Sequence, residues 1–182
     1  MMDLCPVVLV DTREQAPLPI EGFPVERATL PCGDYGILGF SGWENPAFAV
    51  ERKSLPDLCA SLGRERERFF REIERLRQFR FAALLIEADR ERVECGDYRS
   101  MMHPAAMLAS LDVIEVRAGL HIAWAGNPAG AARRLEGWVR QFARGVLKDA
   151  ARLQAAMHAA QDAETTPETA DAAPPESLPV GC

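Results

Sequence analysis

Apolar runs that stop abruptly in charge constrain this chain more than any other feature of its sequence. Val7-Val8-Leu9-Val10 runs straight into Asp11-Thr12-Arg13-Glu14, and Phe48-Ala49-Val50 runs into Glu51-Arg52-Lys53. Phe81 to Ile86 is a longer apolar run that ends in Glu87. Such runs read as buried strands. A further strand is expected over Tyr35–Phe40, a loop over Ser41–Pro46, and another strand over Leu120–Ala125. The intervening segments carry a helical period. Ser54 caps a helix that has Pro56 in its first turn, Asp57 at the capping-box position and an end near Gly63. A second helix, about Arg64 to Phe79, gathers Phe69, Ile73 and Leu76 on one face. Pro104 opens a third, with Leu108 and Leu111 on one face. A long last helix begins near Pro128 with Leu135, Trp138, Val139, Phe142 and Val146 facing the core. The expected fold class is α/β: a mixed central sheet flanked by helices, with a long C-terminal helix. Charge then clusters at strand ends, where folds of this class place their sites.

A chain of 182 residues with 48% apolar and 26% charged residues suits one domain with a real core. No apolar run approaches the roughly 20 residues of a membrane span. Met1-Met2-Asp3-Leu4 lacks the pattern of a secretory signal, so a cytoplasmic protein without a membrane partner is expected. Five cysteines without a C-x-x-C pair argue against a disulfide framework or a zinc site. The net charge of −6 is unevenly spread: five acids and no base lie between Asp162 and Cys182, which leaves −1 for the rest. Residues 161–182 therefore read as a disordered acidic tail on a domain spanning 1–160. A nearly neutral body neither requires nor excludes a nucleic-acid partner.

The chemistry concentrates in few residues. Nineteen of the bases are Arg and two are Lys, Lys53 and Lys148. In so Arg-rich a chain, a Lys marks a position where a compact amine suits better than a guanidinium. Glu51 and Lys53, two apart on a strand, point to the same side. Asp34, in the turn-like Pro31-Cys32-Gly33-Asp34, is brought beside Glu51 by a hairpin. Two carboxylates and a strand carbonyl make a hard oxygen site for Mg²⁺, which acidifies water and stabilises charge at phosphorus. The amine of Lys53 can orient or deprotonate that water, or offset charge. The competing reading is a solvated Glu-x-Lys ion pair of little consequence. Three apolar strands interrupted by charge at matching ends weigh against it.

The ordered motifs Val-Asp-Thr-Arg-Glu from Val10, Gly33-Asp34-Tyr35 and Glu51-Arg52-Lys53-Ser54-Leu55-Pro56-Asp57-Leu58 resemble the XPF-type nuclease domain over about residues 7 to 145. The signature is Gly-Asp, a spacer, Glu-Arg-Lys and an Asp four residues after the Lys. Phe81–Glu87 is also similar to the strand that follows in that family. The resemblance implies a restriction-endonuclease-like fold and a Mg²⁺- or Mn²⁺-dependent cut in branched or flapped DNA, in repair or recombination. By position it makes Asp34 and Glu51 metal ligands and Lys53 the catalytic lysine. Asp11, Arg13, Arg52 and Asp57 match the supporting site residues, and Glu14 the motif's acid. It also implies a homodimer through the nuclease domain. Family members often carry a C-terminal tandem helix-hairpin-helix domain. No pattern for one follows Ala160, so a stand-alone form is expected. Inactive paralogues lack motif residues that are all present here, which favours activity. The alternative is a non-catalytic DNA-binding subunit of a larger nuclease or helicase complex.

Arg64 and Arg68, directly after the site helix, are the expected DNA-binding residues. Arg71, Arg75, Arg77 and Arg80 also qualify as phosphate contacts, or as an ion-paired solvated face with Glu65, Glu72 and Glu74. The basic stretch Arg133, Arg134, Arg140, Arg144 and Lys148 reads either as a further phosphate-facing surface or, the stronger reading, as a solvated face. His103, His121 and His158 have no ligand spacing. Trp138 and Phe142 read as core or interface, and Trp43 as a loop residue able to touch DNA. The Arg- and Ala-rich, Lys-poor composition suggests a bacterial or phage source.

Overall fold

The computed structural model describes residues 5–165. The chain divides into two units, Met1–Ala143 and Arg144–Cys182. The first is built on a six-stranded mixed sheet. Its strands are β1 (Val8–Asp11), β2 (Val25–Ala28), β3 (Tyr35–Ile37), β6 (Phe48–Lys53), β7 (Phe81–Ile86) and β8 (His121–Trp124). They lie in the order β2-β1-β3-β6-β7-β8. β3 runs antiparallel to both of its neighbours, while β1–β2 and β6–β7–β8 are parallel. The segment expected as a plain loop holds a small hairpin, β4 (Ser41–Gly42) with β5 (Asn45–Pro46). The Ser41 hydroxyl ties it to the sheet, donating to the Phe48 carbonyl and accepting from the Ile37 N–H.

Side chains alternate across the sheet, and two cores result. Val8, Val10, Tyr35, Ile37, Phe48, Val50, Ala83 and Leu85 pack on one face against Ala131, Ala132, Leu135 and Val139 of helix α5 (Pro128–Thr165). Trp138 and Phe142 flank this core, as their spacing suggests. Ala49, Leu84 and Ile86 face the other way, toward α1 (Leu55–Leu62), α2 (Arg66–Leu76) and α4 (Pro104–Val113). Helix α1 starts as expected: Ser54 Oγ accepts from the Asp57 N–H at 3.3 Å and Pro56 sits in the first turn. Phe69, Ile73 and Leu76 are the buried stripe of α2, which is shorter at both ends than its periodicity suggests. A turn at Gly63–Glu65 separates it from α1. The strands over 35–40 and 120–125 are likewise trimmed to Tyr35–Ile37 and His121–Trp124.

Besides the small hairpin, β2 and α3 (Arg90–Glu94) have no counterpart in the periodicity. β2 (Val-Glu-Arg-Ala) is an exposed edge strand, and α3 buries only Val93. In the second unit, α5 is described as far as Thr165, and the rest of the expected tail over 161–182 lies outside the described residues. No helix among the described residues is long and apolar enough to cross a membrane.

Candidate active site

The ends of β1, β3 and β6 bring most of the expected residues to one place. Val8 and Val10 face α5, so alternation turns Asp11 to the α2 side. Phe48 and Val50 do the same for Glu51 and Lys53, and Tyr35 for Asp34. The turn before β3 depends on a glycine. Gly33 has φ +75°, and a Cβ there would stand 3.0 Å from the Val50 carbonyl oxygen. The next residue, Asp34, donates its N–H to that same carbonyl at 2.9 Å. Asp34 Oδ2 then accepts the Arg52 N–H at 2.8 Å. Asp34 is thereby held to the backbone between Glu51 and Lys53.

Glu51 is 2% exposed. Its Oε1 accepts from Lys53 Nζ, and its Oε2 is buried with no hydrogen-bond partner. Burial, with Asp34 nearby, pushes the Glu51 carboxyl up to about 8. Burial also raises Asp34, to about 6, against the Arg52 N–H and Lys53, which favour its charge. Burial works against the charge of Lys53, but Glu51 and, further off, Asp34 and Glu72 raise its pKa above the ordinary value. Its ammonium stands 5.5 Å from the Phe69 ring centre. A buried carboxylate oxygen without a donor is costly unless a cation or proton meets it. The donor set, two carboxylates and no sulfur or imidazole, suits a hard divalent ion. Among the described residues no three acidic, His or Cys side chains are grouped closely enough to hold a metal by themselves. An ion here would keep several waters, as Mg²⁺ commonly does.

Asp11 is an acid of another kind. It accepts from the Arg13 N–H at 2.8 Å, from Arg13 Nε and Nη2 at 2.6 and 3.0 Å, and from the Leu30 N–H at 2.8 Å. Burial disfavours its charge, but these donors outweigh it and hold the carboxyl below the usual value. Arg13 also reaches the Leu30 carbonyl, and its side chain stays 70% exposed. Arg52, on the opposite face from Glu51 and Lys53, is enclosed. It makes a bidentate pair with Glu87 at 2.7 Å and reaches both Glu14 oxygens at 3.2 Å. It thus joins the ends of β1, β6 and β7.

Asp57 stands apart. It accepts from Ser54 Oγ at 2.6 Å, and it makes no hydrogen bond to Asp34, Glu51 or Lys53. Arg64 and Arg68 are exposed and share Glu65, at 3.6 and 3.2 Å. Trp43 is half exposed, with its ring 5.7 Å from that of Phe79. His103 caps α4 and His121 stacks on Phe81.

Two residues escape a reading of the sequence. Glu87 is the bidentate partner of Arg52, and the parallel register that pairs Lys53 with Ile86 puts it one step past the pair. Glu72 lines a cleft of about 460 Å³ with Arg13, Arg68, Arg71 and Arg75, and its charge acts on Asp34, Glu51 and Lys53. Its position beside the Phe69–Ile73–Leu76 stripe was the available signal.

Residues 10–136 match the model of the ERCC4 domain. The chain belongs to the ERCC4-domain family. The match spans both sides of the sheet and every candidate residue. Among solved structures, XPF from Aeropyrum pernix superimposes with a TM-score of 0.60 at 27% identity, covering 75% of this chain and 61% of that one. XPF from the same organism in complex with DNA gives 0.56 at 25% identity, covering 79% and 66%. This ERCC4-domain chain thus spans less than two thirds of either relative. A search of curated proteins gave no match.

Proposed function

We propose that this ERCC4-domain protein is a divalent-metal-dependent DNA endonuclease that hydrolyses phosphodiester bonds in branched or flapped DNA. Its setting would be repair or recombination in a bacterial or phage-infected cytoplasm. Residues 1–160 form its nuclease domain, which pairs with a second copy. The observation that carries the chemistry is the buried, unpartnered Oε2 of Glu51, with Lys53 on the same face and Asp34 anchored alongside. Asp34 and Glu51 would hold Mg²⁺ or Mn²⁺. When bound, such an ion acidifies water and withdraws charge from the phosphoryl group.

The chain's own residues supply the rest. Lys53 keeps its proton beside Glu51 and presents an ammonium whose further N–H groups can hold the attacking water or the phosphate. Arg13, pinned by Asp11 yet open to the cleft, offers its outer edge to a phosphate oxygen. Arg52 orients rather than reacts: its backbone N–H fixes Asp34 and its side chain locks three strand ends. Asp57 acts through Ser54, holding the start of α1 directly behind Lys53. Arg64 and Arg68 meet DNA beyond the cut.

The test is cleavage of labelled flap, fork and duplex DNA by the purified chain with Mg²⁺ or Mn²⁺, with Asp34→Ala and Lys53→Ala alongside. The branched substrates should be cut with metal only, and the variants should fall by about 10²–10³. No cleavage of any substrate overturns the reading. DNA binding without turnover makes the chain a non-catalytic subunit instead.

A further inference from the structure

The arginines of α2 are not equivalent. Arg66 is taken up by the Leu62 carbonyl, the Ser110 hydroxyl and the Phe70 ring. Arg77 pairs with Glu74 at 3.0 Å, and Arg80 lies over Phe142. Arg71 and Arg75 are exposed, and among the described residues their side chains have no hydrogen bond or ion pair. Arg64 and Arg68, both exposed, have only the shared, half-buried Glu65 at 3.6 and 3.2 Å, a weak hold. Positions 64, 68, 71 and 75 follow the i, i+4, i+7, i+11 spacing of one helix face, with Arg64 in the turn that leads into α2. The surface beside them is continuous. The cleft of Arg13, Arg68, Arg71, Glu72 and Arg75 shares Arg68 and Arg71 with one of about 550 Å³ at the start of α2. That cleft shares Gly63 and Arg64 with a third, of about 490 Å³, which adds Arg99.

We propose that Arg13, Arg75, Arg71, Arg68, Arg64 and Arg99 form one phosphate track that leads a single DNA strand from the candidate active site along α2 to the turn before α4. The inference rests on the DNA reading above. It selects Arg71 and Arg75 from the arginines that the sequence left open, adds Arg99, and leaves Arg66, Arg77 and Arg80 out of the contact set. The length is appropriate. Eleven residues at about 1.5 Å each span about 16 Å, and a strand kept in duplex-like stacking, which advances about 3.4 Å along its axis per phosphate, places about five phosphates over that distance. Arg71, Arg75 and Arg99, held by no acid among the described residues, break no ion pair in turning to a phosphate, and their planar fork suits it.

The test uses the full chain in EDTA, so that binding is read without cleavage. A fluorescein-labelled 20-nucleotide single strand is titrated at several NaCl concentrations and followed by anisotropy. Arg71→Ala/Arg75→Ala should flatten the slope of log K against log salt by about 1.4, two contacts at about 0.7 each. At 0.1 M salt that corresponds to about 25-fold weaker binding. Arg71→Lys/Arg75→Lys should restore the slope, and Arg77→Ala/Arg80→Ala should leave it unchanged. An unchanged slope in the first variant, or an equal loss in the Arg77/Arg80 control, overturns the track. So does a wild-type chain that fails to bind the strand. A wild type that binds as described but never cuts with metal leaves the track standing and removes the nuclease.

Discussion

Asp11 with Arg13 and Glu51 with Lys53 are the same device on paper: an acid and a cation two residues apart at the end of a buried strand. Both acids are almost fully enclosed, at 1% and 2% exposure. Their ionisation moves in opposite directions, Asp11 down and Glu51 up. The difference lies in the donors. Asp11 receives four hydrogen bonds, whereas Glu51 receives one and keeps an oxygen with none. Burial alone therefore does not separate an acid saturated by donors from one left open to a cation or a proton. The number of donors does, and an unsaturated buried carboxylate is a standing destabilisation held in place by the rest of the fold.

The sharpest way to break this contrast is to neutralise each acid without changing its shape. Asp11→Asn should lower stability by about 2–3 kcal/mol, because charge-assisted bonds are lost at a buried site. Glu51→Gln should leave the metal-free melting temperature equal or higher, since it removes a charge that burial disfavours, while cleavage falls by about 10²–10³. Paired thermal melts and cleavage rates check both. A Glu51→Gln protein as unstable as Asp11→Asn would end the distinction.

Titration sharpens the same contrast. Asp11, with a lowered value, stabilises the fold above its unfolded value near 3.8 and stops doing so only as the pH falls through its lower folded value. Asp34 and Glu51 behave inversely. Their contribution is fully present below their unfolded values, 3.8 and 4.5, and is lost as the pH rises through about 6 and about 8. The melting temperature of the metal-free protein should therefore fall from pH 5 to pH 8 and level off above that. Millimolar Mg²⁺ should flatten the fall, because bound metal replaces the protons. In Glu51→Gln the fall should be smaller and should finish near pH 6. Scanning calorimetry across this range, with and without Mg²⁺, reads all three. A rising curve contradicts the raised values. The smallest effect belongs to Asp57→Ala, which removes only the partner of Ser54. It should cost about 0.5–1 kcal/mol in thermal melts and reduce cleavage far less than Lys53→Ala.

Much of this architecture is legible in the sequence because apolar runs, helix caps and abrupt charge each have a local cause. Ser54, Pro56 and Asp57 announce α1, and the Phe69–Ile73–Leu76 spacing announces α2. β2 is not legible: as an edge strand that buries none of its residues, it has no alternation to show. α3 is a single turn and a half around Val93, too short for a period. Within the site, Asp34, Glu51 and Lys53 follow from strand alternation and one hairpin. The partnership of Arg52 with Glu87 depends on which strands lie side by side, and that is decided by packing 35 residues away in sequence. The inequality of the α2 arginines also waits on tertiary structure, since the same alternating Arg–Glu text describes paired and unpaired members alike.

The bond from the Arg52 N–H to Asp34 Oδ2 has one more consequence. β3 and β6 pair through a single residue couple, Tyr35 with Val50, and the Asp34 side chain supplies what the next rung of the ladder would have supplied. Sliding β6 by one residue would exchange every side chain across the sheet, sending Lys53 and Glu51 into the α5 core and bringing Arg52 to the α2 face. A mispaired molecule would thus lose Glu51 and Lys53 from the candidate site together rather than one at a time. Turnover by this chain would serve as a readout of strand register, reporting on the fidelity of folding at the one junction where the sheet is most thinly stitched.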